Sequence, residues 1–102
     1  MYILKFHPLI EEDLKNLNNS IKIEIFKKLK KIQTSPEIGK PLGNKNGMDL
    51  SGYKKVYVYK KQIRIVYKII DDVLIIQVIH IGKRDEMKVY KEAFKRKNDD
   101  IK

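Results

Sequence analysis

A chain of 102 residues has room for one hydrophobic core. Hydrophobic residues make up 42% and charged residues 35%, and 23 Lys and Arg against 13 Asp and Glu give a net charge of +10. Cysteine is absent, which excludes a disulfide framework, a thiol nucleophile and a thiolate zinc site. The only histidines, His7 and His80, are far apart in sequence, so no metal and no cofactor are expected. The field of so basic a protein attracts nucleic acid, an anionic membrane or an acidic protein partner. The apolar run at residues 1–6 is too short for a signal peptide, and no stretch approaches membrane-spanning length. A cytoplasmic protein with no membrane partner is the expectation.

The spacing predicts a short strand over residues 2–6, ended by His7-Pro8. A first helix follows over about 9–18, with Glu11, Glu12 and Asp13 near its N-terminus and Ile10, Leu14 and Leu17 on one stripe. A second helix starts near Ser20, a candidate N-cap, and stops at Thr34-Ser35 because Pro36 disfavours helical geometry before it. Ile21, Ile25, Leu29 and Ile32 share its apolar face, with Phe26 beside them. The short connection predicts an antiparallel helical hairpin. Residues 36–47 hold Pro36, Gly39, Pro41, Gly43 and Gly47 and read as a loop. Three strands follow over about 54–59, 63–70 and 73–81, joined by turns short enough for hairpins. In the second, Ile63, Ile65, Tyr67 and Ile69 face the helices and Arg64 is left on the open face. The third is apolar on both faces and belongs inside the sheet. Met87, Tyr90 and Phe94 predict a helix over about 87–97, and residues 98–102 a frayed tail. The fold class is α+β. A strand and helical hairpin pack on a small, largely antiparallel sheet, with a C-terminal helix, as a single domain over residues 1–102.

Between Ser51 and Ile70 there is no acidic residue, but there are six cations (Lys54, Lys55, Lys60, Lys61, Arg64, Lys68) and four tyrosines (Tyr53, Tyr57, Tyr59, Tyr67). Cations neutralise phosphates and tyrosine rings stack on unpaired bases, so this stretch suits an RNA-facing surface. Lys54, Lys55 and Tyr57 on the first core strand, Arg64 on the next, and Lys83-Arg84 with Tyr90 beyond the third are the groups able to act on a phosphodiester. Each also has a plain structural reading. Lys54 and Lys55 suit an exposed strand, Arg64 suits a salt bridge to Asp71 or Asp85, and Tyr90, Met87 and Phe94 suit packing. His80 suits a structural role and His7 a helix start.

Three segments carry a family resemblance: Leu50-Ser51-Gly52-Tyr53, Ile63-Arg64-Ile65-Val66-Tyr67, and Ile81-Gly82-Lys83-Arg84 followed by Val89-Tyr90. With the order of elements across nearly the whole chain, they resemble the RelE/ParE toxin superfamily of toxin–antitoxin systems. The resemblance implies a metal-independent endoribonuclease that cleaves messenger RNA in the ribosomal A site. It also implies the ribosome and a cognate antitoxin as partners. It places Lys55, Arg64, Arg84 and Tyr90 in the catalytic set, and the pattern of cations and tyrosines puts Lys54, Tyr57, Lys60, Lys61 and Lys83 on RNA. Lys55 is then the candidate base, Arg64 the phosphate holder, Arg84 the charge stabiliser and Tyr90 a group that stacks on or orients a nucleotide. One departure stands out. The RelE branch carries a second strand lysine where this chain has Tyr57, which can share the base role or stack on a base. Arg84 with Tyr90 favours the RelE branch over a ParE-like poison of DNA gyrase. The Tyr57 departure keeps alive a member that binds antitoxin or RNA without cutting.

Overall fold

Helical spacing early in the chain and alternation later build one sheet with helices on both faces. The computed structural model describes residues 1–45, 47–83 and 86–99, with Glu86 and Met87 in backbone only. Its elements are β1 (Ile3–Phe6), α1 (Ile10–Lys15), α2 (Asn19–Thr34), β2 (Lys40–Lys45), β3 (Met48–Val58), β4 (Ile63–Ile70), β5 (Ile75–Lys83) and α3 (Glu86–Arg96). The strand order is β1-β5-β4-β3-β2. β1 runs parallel to β5, and the other pairings are antiparallel. The α+β arrangement read from the sequence is the one observed, and β5 lies inside the sheet as its two apolar faces require.

The helical hairpin covers one face. His7 Nδ1 accepts a hydrogen bond from the Leu9 backbone N–H at 3.0 Å, which sets the start of α1. α1 is shorter than its apolar stripe suggests because Asn18, not Ser20, caps α2, its side chain accepting from Ile21 N–H at 3.0 Å. Ile25, Leu29 and Ile32 are buried against Val56, Val58, Ile63, Ile65, Tyr67, Ile76, Val78 and Ile81. Full burial of a side chain such as Ile25 or Ile32 is worth about 1.5–3 kcal/mol. Phe26 stays outside, 52% exposed.

Residues 36–47 are not a loop. A short 3-10 turn at Pro36–Ile38 leads into β2, which pairs with β3. β2 is an edge strand, so Pro41 loses no ladder bond that the sheet needs, and Gly43, at φ 71°, accommodates the register shift beside it. β3 is correspondingly longer than the predicted strand, starting at Met48. Tyr67 fixes the turn from beneath: its hydroxyl donates to Pro36 O at 2.6 Å and accepts from Gly39 N–H at 3.0 Å. A Cβ on Gly39 would overlap that hydroxyl.

α3 covers the opposite face of the sheet, packing Val89, Tyr90 and Ala93 on Leu50, Tyr53, Val66 and Ile79. The predicted stripe is rotated: Phe94 is 37% exposed, and Arg96 turns inward instead. Arg96 grips Asp13 of α1 with Nη1–Oδ2 at 2.6 Å and Nη2–Oδ1 at 2.9 Å. It also donates to Ile79 O at 2.9 Å and to Glu92 at 2.9 Å, while Asp13 accepts from Ile81 N–H at 3.1 Å. β1 pairs with β5 only from Ile75 to Val78, so Asp13 closes part of the open edge beyond it. This cluster joins the helical hairpin to α3 around the end of β1. It borders a cavity of about 690 Å³, also lined by His80 and Lys88.

Two expectations follow from this cluster. Asp13→Ala leaves the buried Arg96 guanidinium without its partner and is expected to cost about 3–5 kcal/mol in urea unfolding; a loss under about 1 kcal/mol would show that the pair does not anchor α3. Burial pushes the His80 imidazole below its ordinary value of 6.5. Asp13 and Glu92 oppose that shift, and Arg96 and His7 reinforce it. A depressed folded-state value means the unfolded chain takes up the proton first as pH falls. The contribution of neutral His80 is therefore present above 6.5 and lost below it. Urea midpoints measured from about pH 7.5 to about pH 5 should fall more steeply for the native chain than for His80→Asn; parallel curves would contradict this.

Candidate active site on the sheet face

Alternation along β3 and β4 decides which side chains can meet. Tyr57 lies directly opposite Arg64, and Lys55 directly opposite Val66. All four belong to the α3 side of the sheet, because Val66 packs in that core. On the far side, Gly82 of β5 lies opposite Arg64.

Arg64 is not on an open face, as alternation alone suggests. It is 1% exposed. Its Nη2 donates to the Tyr57 hydroxyl at 3.1 Å, and its guanidinium carbon lies 5.1 Å from the centre of the Tyr57 ring. Nε and Nη1 are buried and reach no acceptor among the described residues. No carboxylate among the described residues pairs with Arg64, and Asp71 instead accepts from the Tyr2 hydroxyl at 2.6 Å. Asp85, its other sequence-level candidate, lies outside the described residues. A buried cation with unused donors is costly to maintain, and it fits an anion that arrives later.

Lys55 places its ammonium 5.6 Å from the Tyr57 ring on the same face. Partial burial pushes the Tyr57 phenol up, but Arg64 and then Lys55, by charge and hydrogen bond, outweigh it. The net position is below the ordinary tyrosine value of 10.0. Lys55, Tyr57 and Arg64 thus form one cationic group around a phenol disposed to ionise. Its chemical capacity is to bind a phosphate and to move a proton.

The other expected site residues divide. Lys54 is opposite Tyr67, so it belongs to the helical-hairpin side and does not crowd Lys55. Lys60 and Lys61 sit at the exposed β3–β4 turn, where Tyr59, Lys60 and Lys61 all have φ between 55° and 64°. Together with Lys83, which lies opposite Ile63, they border an open groove of about 490 Å³ near the start of α2. Tyr90 is 6% exposed, and its hydroxyl donates to Leu42 O at 2.6 Å, while Lys45 lies 5.6 Å from its ring. In this conformation it packs α3 against β2. Arg84 lies outside the described residues.

Two of the tyrosines read as stacking surfaces are core groups. Tyr53 is buried under α3, with its hydroxyl donating to Lys97 O at 3.2 Å, and Tyr67 is buried on the opposite face. The sequence reading missed the Asp13–Arg96 pair. Its signal was present: Asp13 shares a helix face with Ile10 and Leu17, and Arg96 shares one with Val89 and Ala93.

The pattern described as ParE toxin of type II toxin–antitoxin system, parDE, matches residues 4–88. The mRNA interferase toxin RelE of Escherichia coli K12 is 32% identical over 101 residues, covering 93% of this chain and 96% of that protein. Among solved structures, a mutant of E. coli toxin RelE in the free state superposes with a TM-score of 0.71 at 29% identity, covering 93% of this chain and 96% of that one. RelE in the intact E. coli RelBE toxin–antitoxin complex gives 0.68 at 25% identity, covering 84% of this chain and 100% of that one. No helix among the described residues is long and apolar enough to cross a membrane. The matched span, the superposition and the coverage of both chains agree: this chain belongs to the ParE toxin family of type II toxin–antitoxin systems, within the RelE/ParE superfamily.

Proposed function

We propose that this protein is the toxin of a type II toxin–antitoxin pair and an endoribonuclease that cuts messenger RNA in the ribosomal A site. The observation that carries the reading is Arg64, buried with two donor nitrogens unspent beside Tyr57 and Lys55. The relatives support it, since two proteins 32% identical to it over 96% of their own length are mRNA interferases by name. The chain acts as a single toxin domain, in the cytoplasm.

RNA carries its own nucleophile in the 2′-hydroxyl. Cleavage requires that this oxygen be aligned with the adjacent phosphorus and lose its proton. Charge must be stabilised on the phosphate, and the leaving 5′-oxygen must be protonated. No metal enters this scheme. Arg64 takes a phosphate oxygen on Nε or on Nη1, which lie on different edges of the guanidinium and each pair with Nη2 to make a two-pronged edge. Lys55 adds positive charge on the same face. The guanidinium is buried in this conformation, with the centre of the half-buried Tyr57 ring 5.1 Å from its carbon. Arg84 stabilises charge late in the reaction. Tyr90 joins a nucleotide only after its hydroxyl leaves Leu42, so its part requires a shift of α3.

The ribosome positions the message, which matters most where no group of the site is a strong base. The +10 charge steers the protein to ribosomal RNA and offers a surface to the acidic segment of a cognate antitoxin. RelE, a relative, is found in the E. coli RelBE toxin–antitoxin complex.

Primer extension on a message translated in vitro tests this reading. Cuts in codon register that vanish when ribosomes are omitted are expected. Arg64→Met and Arg84→Ala should each lower cutting by about 10²-fold or more. Because Arg64 is buried without a carboxylate partner among the described residues, Arg64→Met should leave urea stability unchanged or raise it by about 1 kcal/mol. Cuts on naked RNA would establish a freestanding ribonuclease. No cuts, with loss of gyrase supercoiling, would establish the ParE-like activity instead. A variant at position 64 that cuts at full rate would remove Arg64 from the site.

A further inference from the structure

We propose that the cavity between α1, β5 and α3 receives one base of the bound message, beside the phosphate on Arg64, with His80 and Glu92 meeting the edge of that base. The proposal rests on the RNA-cutting reading above and adds the groups that decide which sequence is cut.

Gly82 lies directly opposite Arg64 on the neighbouring strand, and it is also a wall of the cavity of about 690 Å³. Adjacent strands stand roughly 4.8 Å apart, so the cavity begins about one strand's width from Arg64. Its volume falls in the range of small-ligand pockets, roughly 300–1,000 Å³. A bulge shapes the wall. The register of β4 on β5 shifts where Val66 faces His80 and Tyr67 faces Val78. The extra residue, Ile79, packs under α3 with Val66. His80, opposite Val66, therefore shares a face with its own neighbour, which plain alternation forbids. The imidazole lies over Gly82, where a Cβ would stand 2.7 Å from its Cε1. Glycine at position 82 makes that room, on the face and in the row of Arg64.

His80 is 8% exposed, and its Nδ1 is buried with no hydrogen-bond partner among the described residues. Its Nε2 lies 4.0 Å from Asp13 Oδ1, beyond hydrogen-bond reach. Asp13 spends both oxygens on Arg96. Burial holds the ring below its ordinary value of 6.5, so at neutral pH it offers one donor and one acceptor rather than a charge. Glu92 lines the same cavity and gives Oε2 to Arg96 at 2.9 Å. Its other oxygen has no hydrogen bond or ion pair among the described residues, and its side chain is 32% exposed. A carboxylate only accepts, so it repels a second phosphate and suits the amine or ring N–H of a base. Base edges set donors beside acceptors, and a neutral imidazole beside a carboxylate matches such an edge. The cavity is complete with α3 docked, so this contact needs no movement of Tyr90.

The test is the cutting rate on programmed ribosomes, with each base in turn at every position beside the cut. The native chain should discriminate about 10-fold among bases at one fixed position. Glu92→Gln keeps an oxygen for Arg96 and adds a donor, so it should reorder that preference; a merely structural loss would slow every base alike. An abasic nucleotide at the same position should cost the native chain about 10-fold. It should cost His80→Leu, which puts carbon in place of both nitrogens, nothing further. Urea midpoints at about pH 7.5 should show both variants folded, since neither leaves a buried group newly unpaired. Native cutting indifferent to the base would overturn the proposal and leave the RNA-cutting reading intact. So would an unchanged order of preference in Glu92→Gln, or an undiminished abasic cost in His80→Leu. Failure of the native chain to cut would overturn the RNA-cutting reading, and the proposal with it, before any variant is made.

Discussion

Burying a guanidinium with no carboxylate beside it costs several kcal/mol, and among the described residues none pairs with Arg64, so the rest of the molecule must support its placement. β4 runs through the middle of the sheet with a strand on each side, so Arg64 has no freedom to swing to an edge. Behind it, Ile63 and Ile65 are locked into the core under the helical hairpin. In front, Tyr57 takes one of its three nitrogens and stacks on its plane. A well-packed domain can tolerate such a cost at one place, and places of that kind are where function is found. The cluster of Asp13, Arg96 and Glu92 makes the contrast. There an equally buried arginine is fully paired and joins two layers of the fold, and none of its nitrogens is left for a ligand.

Cation and phenol alter each other in the site. Lys55 and Arg64 favour the ionised form of Tyr57, and Tyr57 screens Arg64 from water until substrate arrives. A phosphate on the free nitrogens therefore adds charge-assisted bonds, the stronger kind, to a guanidinium that Tyr57 satisfies at one nitrogen. The family relationship supplies the type II toxin–antitoxin setting. The local geometry supplies a phenol and two cations on one face of the sheet.

Much of the fold was legible in the sequence. The spacing of Ile25, Leu29 and Ile32 gave the buried stripe of α2, and alternation put Arg64 and Tyr67 on opposite faces of β4. β2 was hidden because Pro41 and Gly43 read as breakers. An edge strand tolerates both, and edge position is a property of the whole sheet. The burial of Arg64 and Tyr53 was likewise illegible, because no local pattern shows where α3 will lie. Tyr90 and Phe94 share a sequence stripe, but Arg96 is drawn to Asp13 across 83 positions of sequence, and the helix turns with it. The register that sets Tyr57 opposite Arg64 and the bond between them both needed coordinates.

The account's central claim is that the free nitrogens of Arg64 receive a phosphate. The direct measurement is the proton and nitrogen resonance of Arg64 Nε as a short RNA with a single 2′-deoxy position, bound but not cut, is titrated into the protein. A saturable shift of that resonance, in step with those of Tyr57 and Lys55, is the predicted result. RNA binding that moves resonances elsewhere and leaves Arg64 Nε unchanged would contradict it.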